Sequence, residues 1–234
     1  MNIGIIVAMD KELQLLLPLL ENSRETTIDN VTFYLGDAGS HSVVAMKSGI
    51  GKVNAALSAM TMIKQFAPDV IINTGVAGGA GSEAGVLDIV VGDRIAYHDV
   101  WCGPGTIEGQ AARCPRFFES DKSIVSIDAL KEREGLHHGL IASGDIFVSR
   151  PEDISRIKSL YPDVMAVDME SAAIAHTCHL MNTKFFCIRV VSDTPGKDDN
   201  VSQYDAFWEM APRQTFDILS SIINSLDDTE EVND

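Results

Sequence analysis

The chain has 234 residues, 45% of them hydrophobic and 22% charged, with a mean hydropathy of +0.07. That balance belongs to a globular chain long enough for one large α/β domain with a sizeable core. Its formal net charge of −16 argues against nucleic acid and anionic membrane surfaces as partners.

Part of that charge lies at Asp227, Asp228, Glu230, Glu231 and Asp234, and residues 227–234 read as a frayed acidic tail. The opening Met1-Asn2-Ile3-Gly4-Ile5-Ile6 lacks the basic region, long apolar core and cleavage site of a signal peptide. No apolar run is long enough to span a bilayer. Cys102, Cys114, Cys178 and Cys187 show no paired spacing, so reduced thiols and a cytoplasmic location are expected.

Asn2 to Ala8 is an apolar run of strand length, after which Met9-Asp10-Lys11-Glu12 opens a helix with acids in its first turn. Leu13, Leu16, Leu17 and Leu20 give that helix one buried face, and Pro18 bends or ends it. Glu12 lies about one turn beyond the strand's carboxyl end. Read alone it is either a site residue or, as is usual for Glu, a surface acid. Val31–Leu35 and His41–Lys47 predict a hairpin around residues 36–40. Ser48-Gly49-Ile50-Gly51-Lys52 then feeds a helix with Val53, Ala56, Leu57, Met60 and Ile63 on one face, stopping at Pro68.

Val70 to Asn73 is a buried strand ending in Thr74-Gly75-Val76-Ala77-Gly78-Gly79-Ala80. This glycine run lacks the Lys-Ser/Thr of a P-loop and the spacing of a dinucleotide fingerprint; its content is close approach to the main chain. Two short β patterns flank Val91-Gly92-Asp93, and an irregular aromatic stretch from Asp99 to Phe118 reads as a lid, binding loop or interface. Lys122–Arg133 predicts a surface helix, Leu140–Ser143 a strand, and Pro151–Leu160 a helix opened by its proline. Val164–Val167 predicts a strand leading to Asp168-Met169-Glu170 and a helix. Lys184–Val191 predicts another strand, ending at Ser192-Asp193, with both strand ends facing the same way. Val201–Leu226 is a helical tail containing Pro212. The alternation predicts a single-domain three-layer α/β sandwich over residues 1–234, its mixed, mostly parallel sheet carrying helices on both faces.

Smaller features have plainer explanations. His176 and His179 are helical neighbours with Cys178 between them, and zinc needs three or four convergent ligands. His98-Asp99 is a catalytic pair or a structural hinge. Met9, Met60 and Met62 read as core filler, and Trp101 and Phe117 as loop aromatics serving an interface or pocket.

Glu12, Glu170 and Asp193 at strand ends are the residue types that glycosidic cleavage needs, one carboxylate activating water and another protonating the leaving group. Spacing alone does not separate this from three unrelated acids. The motifs go further. Ile3-Gly4-Ile5-Ile6 with Ala8-Met9 and Glu12, Ser48-Gly49-Ile50-Gly51-Lys52-Val53, and Pro68 through Gly75 resemble the bacterial 5′-methylthioadenosine/S-adenosylhomocysteine nucleosidases. So do Tyr97-His98-Asp99, Ser143-Gly144-Asp145, Met169-Glu170, Ala173-Ile174-Ala175 and Arg189 through Asp193. The resemblance runs in order over nearly the whole chain.

It implies the nucleoside phosphorylase-like fold, no cofactor or metal, a homodimer, a small-molecule nucleoside substrate and a role in methionine salvage. Glu12 then matches the base that activates water, and Asp193 the acid that protonates adenine N7. Glu170 matches the carboxylate on the ribose hydroxyls, with Met169 under the sugar. Phe147 matches the ring stacked on adenine, and the Val148 backbone would read its edge. Arg189 resembles the residue that orients the water, and Ser192 the one that orients the acid. Ile50, Ala77 and Gly78 complete the implied substrate-binding set. Three departures stand out: Val76 where a small hydroxyl residue is usual, Asp168 in place of a Glu, and the divergent 100–118 loop, which leaves 5′ specificity open. The rivals are a phosphorylase, a futalosine-type hydrolase and a non-catalytic nucleoside binder.

Overall fold

The computed structural model describes residues 1–81, 83–131, 134–197, 199–210 and 214–226. The expected acidic tail at 227–234, Pro212 and Arg133 lie outside them. The strands are β1 (Asn2–Val7), β2 (Glu21–Ile28), β3 (Val31–Ala38), β4 (His41–Lys47), β5 (Val70–Gly79), β6 (Ile89–Tyr97), β7 (Phe118–Glu119), β8 (Leu136–Ser143), β9 (Val164–Asp168) and β10 (Lys184–Asp193). The helices are α1 (Asp10–Leu16), α2 (Lys52–Phe66), α3 (Lys122–Val125), α4 (Pro151–Leu160), α5 (Ser171–Met181), α6 (Asn200–Met210) and α7 (Gln214–Ser225).

Among the described residues the ten strands join one mixed sheet, as expected. Residues alternate along β1: Ile6 packs into the core shared with α2 and α5, while Ile3, Ile5 and Val7 pack toward α1 and α7. Helices therefore cover both faces here. The sheet is not one open layer, however. β10 pairs with β5 on one side and β6 on the other, and the path β6–β8–β9–β5 closes a five-stranded ring. A flat sandwich describes only the β1–β4 side.

The chain pattern also misleads at β9 and β10. They are not neighbours and do not run the same way: β10 is parallel to β5, and β9 is antiparallel to it. Their carboxyl ends nonetheless meet, because Asp193 and Val167 both pair with Gly78. The register of β10 against β5 shifts between Val191 and Asp193, an irregularity that re-aims the end of the strand.

Several boundaries follow their local signals. α1 gives way to a 3₁₀ turn containing Pro18. α2 ends at Phe66 with Ala67 left-handed, just before Pro68. Pro151 opens α4. β4 has its expected bounds, while β3 runs on to Ala38, so the hairpin closes around a Gly39-Ser40 turn. Of the helix expected over 122–133, the described residues 122–131 form the short α3 and a 3₁₀ turn at Asp128–Leu130. β2 carries no apolar alternation, being an edge strand that is mostly exposed.

α2 is rotated from its expected face, of which Ala56 and Ile63 pack against the core. Its buried residues are Ala55, Ser58, Ala59 and Met62, while Val53 and Leu57 are 71% and 64% exposed. The small residues let α2 pack closely on the Ala-rich α5. Val53, Leu57 and Met60 are left facing outward. Met60 is consequently not core filler.

Candidate active site

A cleft enclosing about 600 Å³, open mouth included, lies at the meeting point of β5, β9 and β10. α1 supplies Glu12, the α2 entrance Ile50, and β5 Val76, Ala77 and Gly78. The loop before α4 supplies Ile146, Phe147 and Val148; the β9–α5 corner supplies Asp168, Met169 and Glu170; the end of β10 supplies Ser192 and Asp193. Its wall is predominantly apolar with a few convergent carboxyls, as small-molecule sites usually are.

Glu12 is buried, in the third position of α1. One carboxylate oxygen accepts the N–H groups of Ala8 (2.8 Å) and Met9 (2.9 Å), and the other accepts Val76 N–H (3.0 Å). Burial pushes its pKa up, against the lowering effect of those donors and Arg189. The expected surface alternative for this residue is overturned. Gly75 explains part of the fit: its φ is +146°, and a Cβ there would overlap the Glu12 carboxylate. The glycine run is therefore a strand that lets an acid lie against its main chain. It is not a phosphate loop.

Asp193 is buried too. Ser192 Oγ donates to its Oδ1 (2.6 Å), and Asn200 Nδ2 donates to its Oδ2. Burial raises its pKa against both bonds. Glu170 stands at the N-terminal boundary of α5 without capping it, its carboxylate instead accepting Gly51 N–H at 2.8 Å; burial, then Asp168, pushes it up to about 7.

Arg189 does not line the cleft. It is 2% exposed behind the wall, donating to Asp168 (2.9 Å), Asn73 Oδ1 (2.5 Å) and Ser171 Oγ (2.9 Å). Its charge acts on Glu12 through space. Asp168 is the hub of this network, also accepting Ser143 Oγ and Ser171 Oγ. Among the described residues, no Lys or Arg lines the cleft.

A sequence profile of the phosphorylase superfamily matches residues 2–224. The 5′-methylthioadenosine/S-adenosylhomocysteine nucleosidase of Anoxybacillus flavithermus is 39% identical, over 97% of this chain and 99% of that protein. The chain belongs to this nucleosidase family, within the phosphorylase superfamily. Its fold superposes on the nucleosidase of S. pneumoniae, solved with a transition-state inhibitor, MT-ImmA, with a TM-score of 0.92. The two are 40% identical, over 97% of this chain and 100% of that one. A futalosine hydrolase mutant from Helicobacter pylori strain 26695 is more distant, at 26% identity and a TM-score of 0.88, covering 95% and 98% of the two chains.

Against the site implied by resemblance to the nucleosidases, the cleft gathers Glu12, Ile50, Ala77, Gly78, Phe147, Val148, Met169, Glu170, Ser192 and Asp193, and leaves out Arg189. Val76, the departure from the nucleosidase pattern, lines it as well. Ala8, Met9, Ile146, Val167, Asp168, Pro195 and Tyr204 line it without having been expected. Met9 is thus pocket wall, where Tyr204 Oη meets its sulfur at 3.4 Å. Tyr204 also packs edge-on to Phe147, with centroids 5.7 Å apart. Its apolar spacing to Trp208 was the available signal.

None of residues 100–118 lines the cleft. Trp101 is 62% exposed, whereas Phe117 packs edge-on to Tyr161 under Arg94 and Arg116. His98 and Asp99 are structural: Arg156 donates to the His98 carbonyl, and Asp99 accepts Lys52 Nζ and Asp145 N–H. His176 sits between Tyr97 Oη (3.1 Å) and Cys114 Sγ (3.0 Å).

Proposed function

We propose that the protein hydrolyses the N-glycosidic bond of 5′-modified adenosines, 5′-methylthioadenosine and S-adenosylhomocysteine, releasing adenine. The observation that carries this reading is the convergence of Glu12, Glu170 and Asp193, from three separate elements, in one apolar cleft with Phe147. Glu12 takes a proton from water as its oxygen bonds to C1′. The C1′–N9 bond breaks with its electron pair passing into the adenine ring, and Asp193 delivers a proton to N7. Glu170 holds the ribose hydroxyls, and the ribosyl centre passes through an oxocarbenium-like state between the two acids. Arg189, walled off from substrate, acts by sustaining the charge of Glu12 and the position of Asp168. The likeness to nucleosidases and the family assignment support hydrolysis. So does the carboxylate wall, since phosphate needs cationic or amide donors beside the ribosyl centre.

The test is adenine release from 5′-methylthioadenosine, S-adenosylhomocysteine and adenosine, with and without phosphate. Phosphate-independent release with a free ribose product is expected. Release only with phosphate, yielding a ribose 1-phosphate, would make the protein a phosphorylase.

The chain acts as one nucleoside phosphorylase-like domain and as a homodimer in the cytoplasm. The exposed Val53 and Leu57 on α2, beside Ile50 at the cleft mouth, support a second copy as their cover. Among the described residues no helix is long and apolar enough to cross a membrane. Sedimentation velocity is expected to show a dimer for the parent protein and a monomer for Leu57→Glu. A monomeric parent would remove the dimer.

A further inference from the structure

Asn200 begins α6 and is 2% exposed. Its Nδ2 donates to Asp193 Oδ2, on the opposite oxygen from the one Ser192 holds. Its Oδ1 is buried and finds no partner among the described residues, so the bond that its NH₂ group makes is the side chain's one polar tie among them. A second bond runs alongside: Thr194 N–H donates to Gln203 Oε1 at 2.8 Å, so the first turn of α6 clasps the segment leaving β10 at two points. We propose that Asn200 is a positioning residue that sets the direction of the Asp193 carboxyl toward the leaving group.

This rests on the reading of Asp193 as the general acid. Ser192 alone would leave the carboxyl free to turn about its Cβ–Cγ bond, because one donor fixes one oxygen. Two donors on opposite oxygens fix the plane. The bond from Asn200 also favours the ionised carboxylate, so its loss should move Asp193 further upward. The titratable groups sharing the cleft are Glu12 from α1, Asp168 and Glu170 from the β9–α5 corner, and Tyr204 from α6; Arg189 lies behind the wall on β10.

The experiment compares Asn200→Ala, Asn200→Ser and Asp193→Asn on two substrates across pH. One is 5′-methylthioadenosine, whose adenine needs a proton to leave. The other is the nitrophenyl glycoside of 5-methylthioribose, whose leaving group departs unprotonated. Asn200→Ala is expected to lower kcat on the nucleoside by roughly 10- to 100-fold, the scale of a hydrogen bond to a charged group. KM and turnover of the nitrophenyl substrate should stay near parent values, and the alkaline limb should move to higher pH. Asn200→Ser, which keeps a donor, should recover part of the loss and stands in if the alanine variant does not fold. Equal losses on both substrates, or an unchanged kcat and limb while Asp193→Asn is inactive, would overturn the role of Asn200. Near-normal turnover by Asp193→Asn would instead sink the reading of Asp193 beneath it.

Discussion

Asp193→Asn is expected to lower kcat for adenine release by about 10² to 10⁴, the scale of general acid catalysis. The substitution keeps the size of the side chain and can keep a hydrogen bond to N7, but an amide has no acidic proton to give. The surroundings argue that this proton matters. Burial raises the pKa of Asp193 from its ordinary value, although Ser192 and Asn200 both donate to it. A raised pKa retains the proton to higher pH, so activity should fall as pH rises through that pKa. In the asparagine variant this alkaline limb should vanish from the kcat/KM profile. Substrate affinity should change little, because Glu170, Met169 and Phe147 are untouched. A melting curve alongside the kinetics separates lost chemistry from lost fold. Near-normal turnover would remove Asp193 from the mechanism.

What the sequence discloses about this site divides by distance along the chain. The acids were legible because each stands at the end of a strand, and because resemblance tied them to one family. Their burial was not. Glu12 looks like any first-turn acid until the Val76 N–H and the bare Gly75 on β5 are brought against it. That contact spans more than sixty residues, and no local pattern encodes it. Ring closure was hidden for the same reason, since it depends on β10 pairing with both β5 and β6. Helical periodicity located α2 and its core-packed Ala56 and Ile63, but turned the face too far toward Val53, Leu57 and Met60, because it follows the largest apolar side chains. Close helix packing selects the small ones, here Ala55, Ser58 and Ala59. Asn200 lay in an acidic, irregular stretch where only the bond to Asp193 distinguishes it.

Glu12→Gln is expected to reduce kcat by a similar factor, about 10² to 10⁴, from the opposite side of the reaction. Glutamine has nearly the same shape, so its oxygen can still accept the Ala8 and Met9 N–H groups. Its NH₂ group would then confront the Val76 N–H, and it cannot take a proton from water. The pH signature has the reverse sign to that of Asp193. A base works ionised, so parent kcat/KM should fall as pH drops through the raised pKa of Glu12. Glu170, pushed up to about 7, titrates within the working range, and a profile alone cannot say which acid makes which limb. The variants can. Glu12→Gln should lose the acid limb assigned to it while keeping the alkaline one, and Asp193→Asn should do the converse. Glu170→Gln should chiefly raise KM. If Glu12→Gln keeps both limbs and most of its turnover, water is activated elsewhere, and the three donors around Glu12 serve only to fasten α1 to β5. If phosphate restores turnover in that variant, removing the negative charge has let an anion occupy the place of the water, which would tie the choice between hydrolysis and phosphorolysis to this one carboxylate.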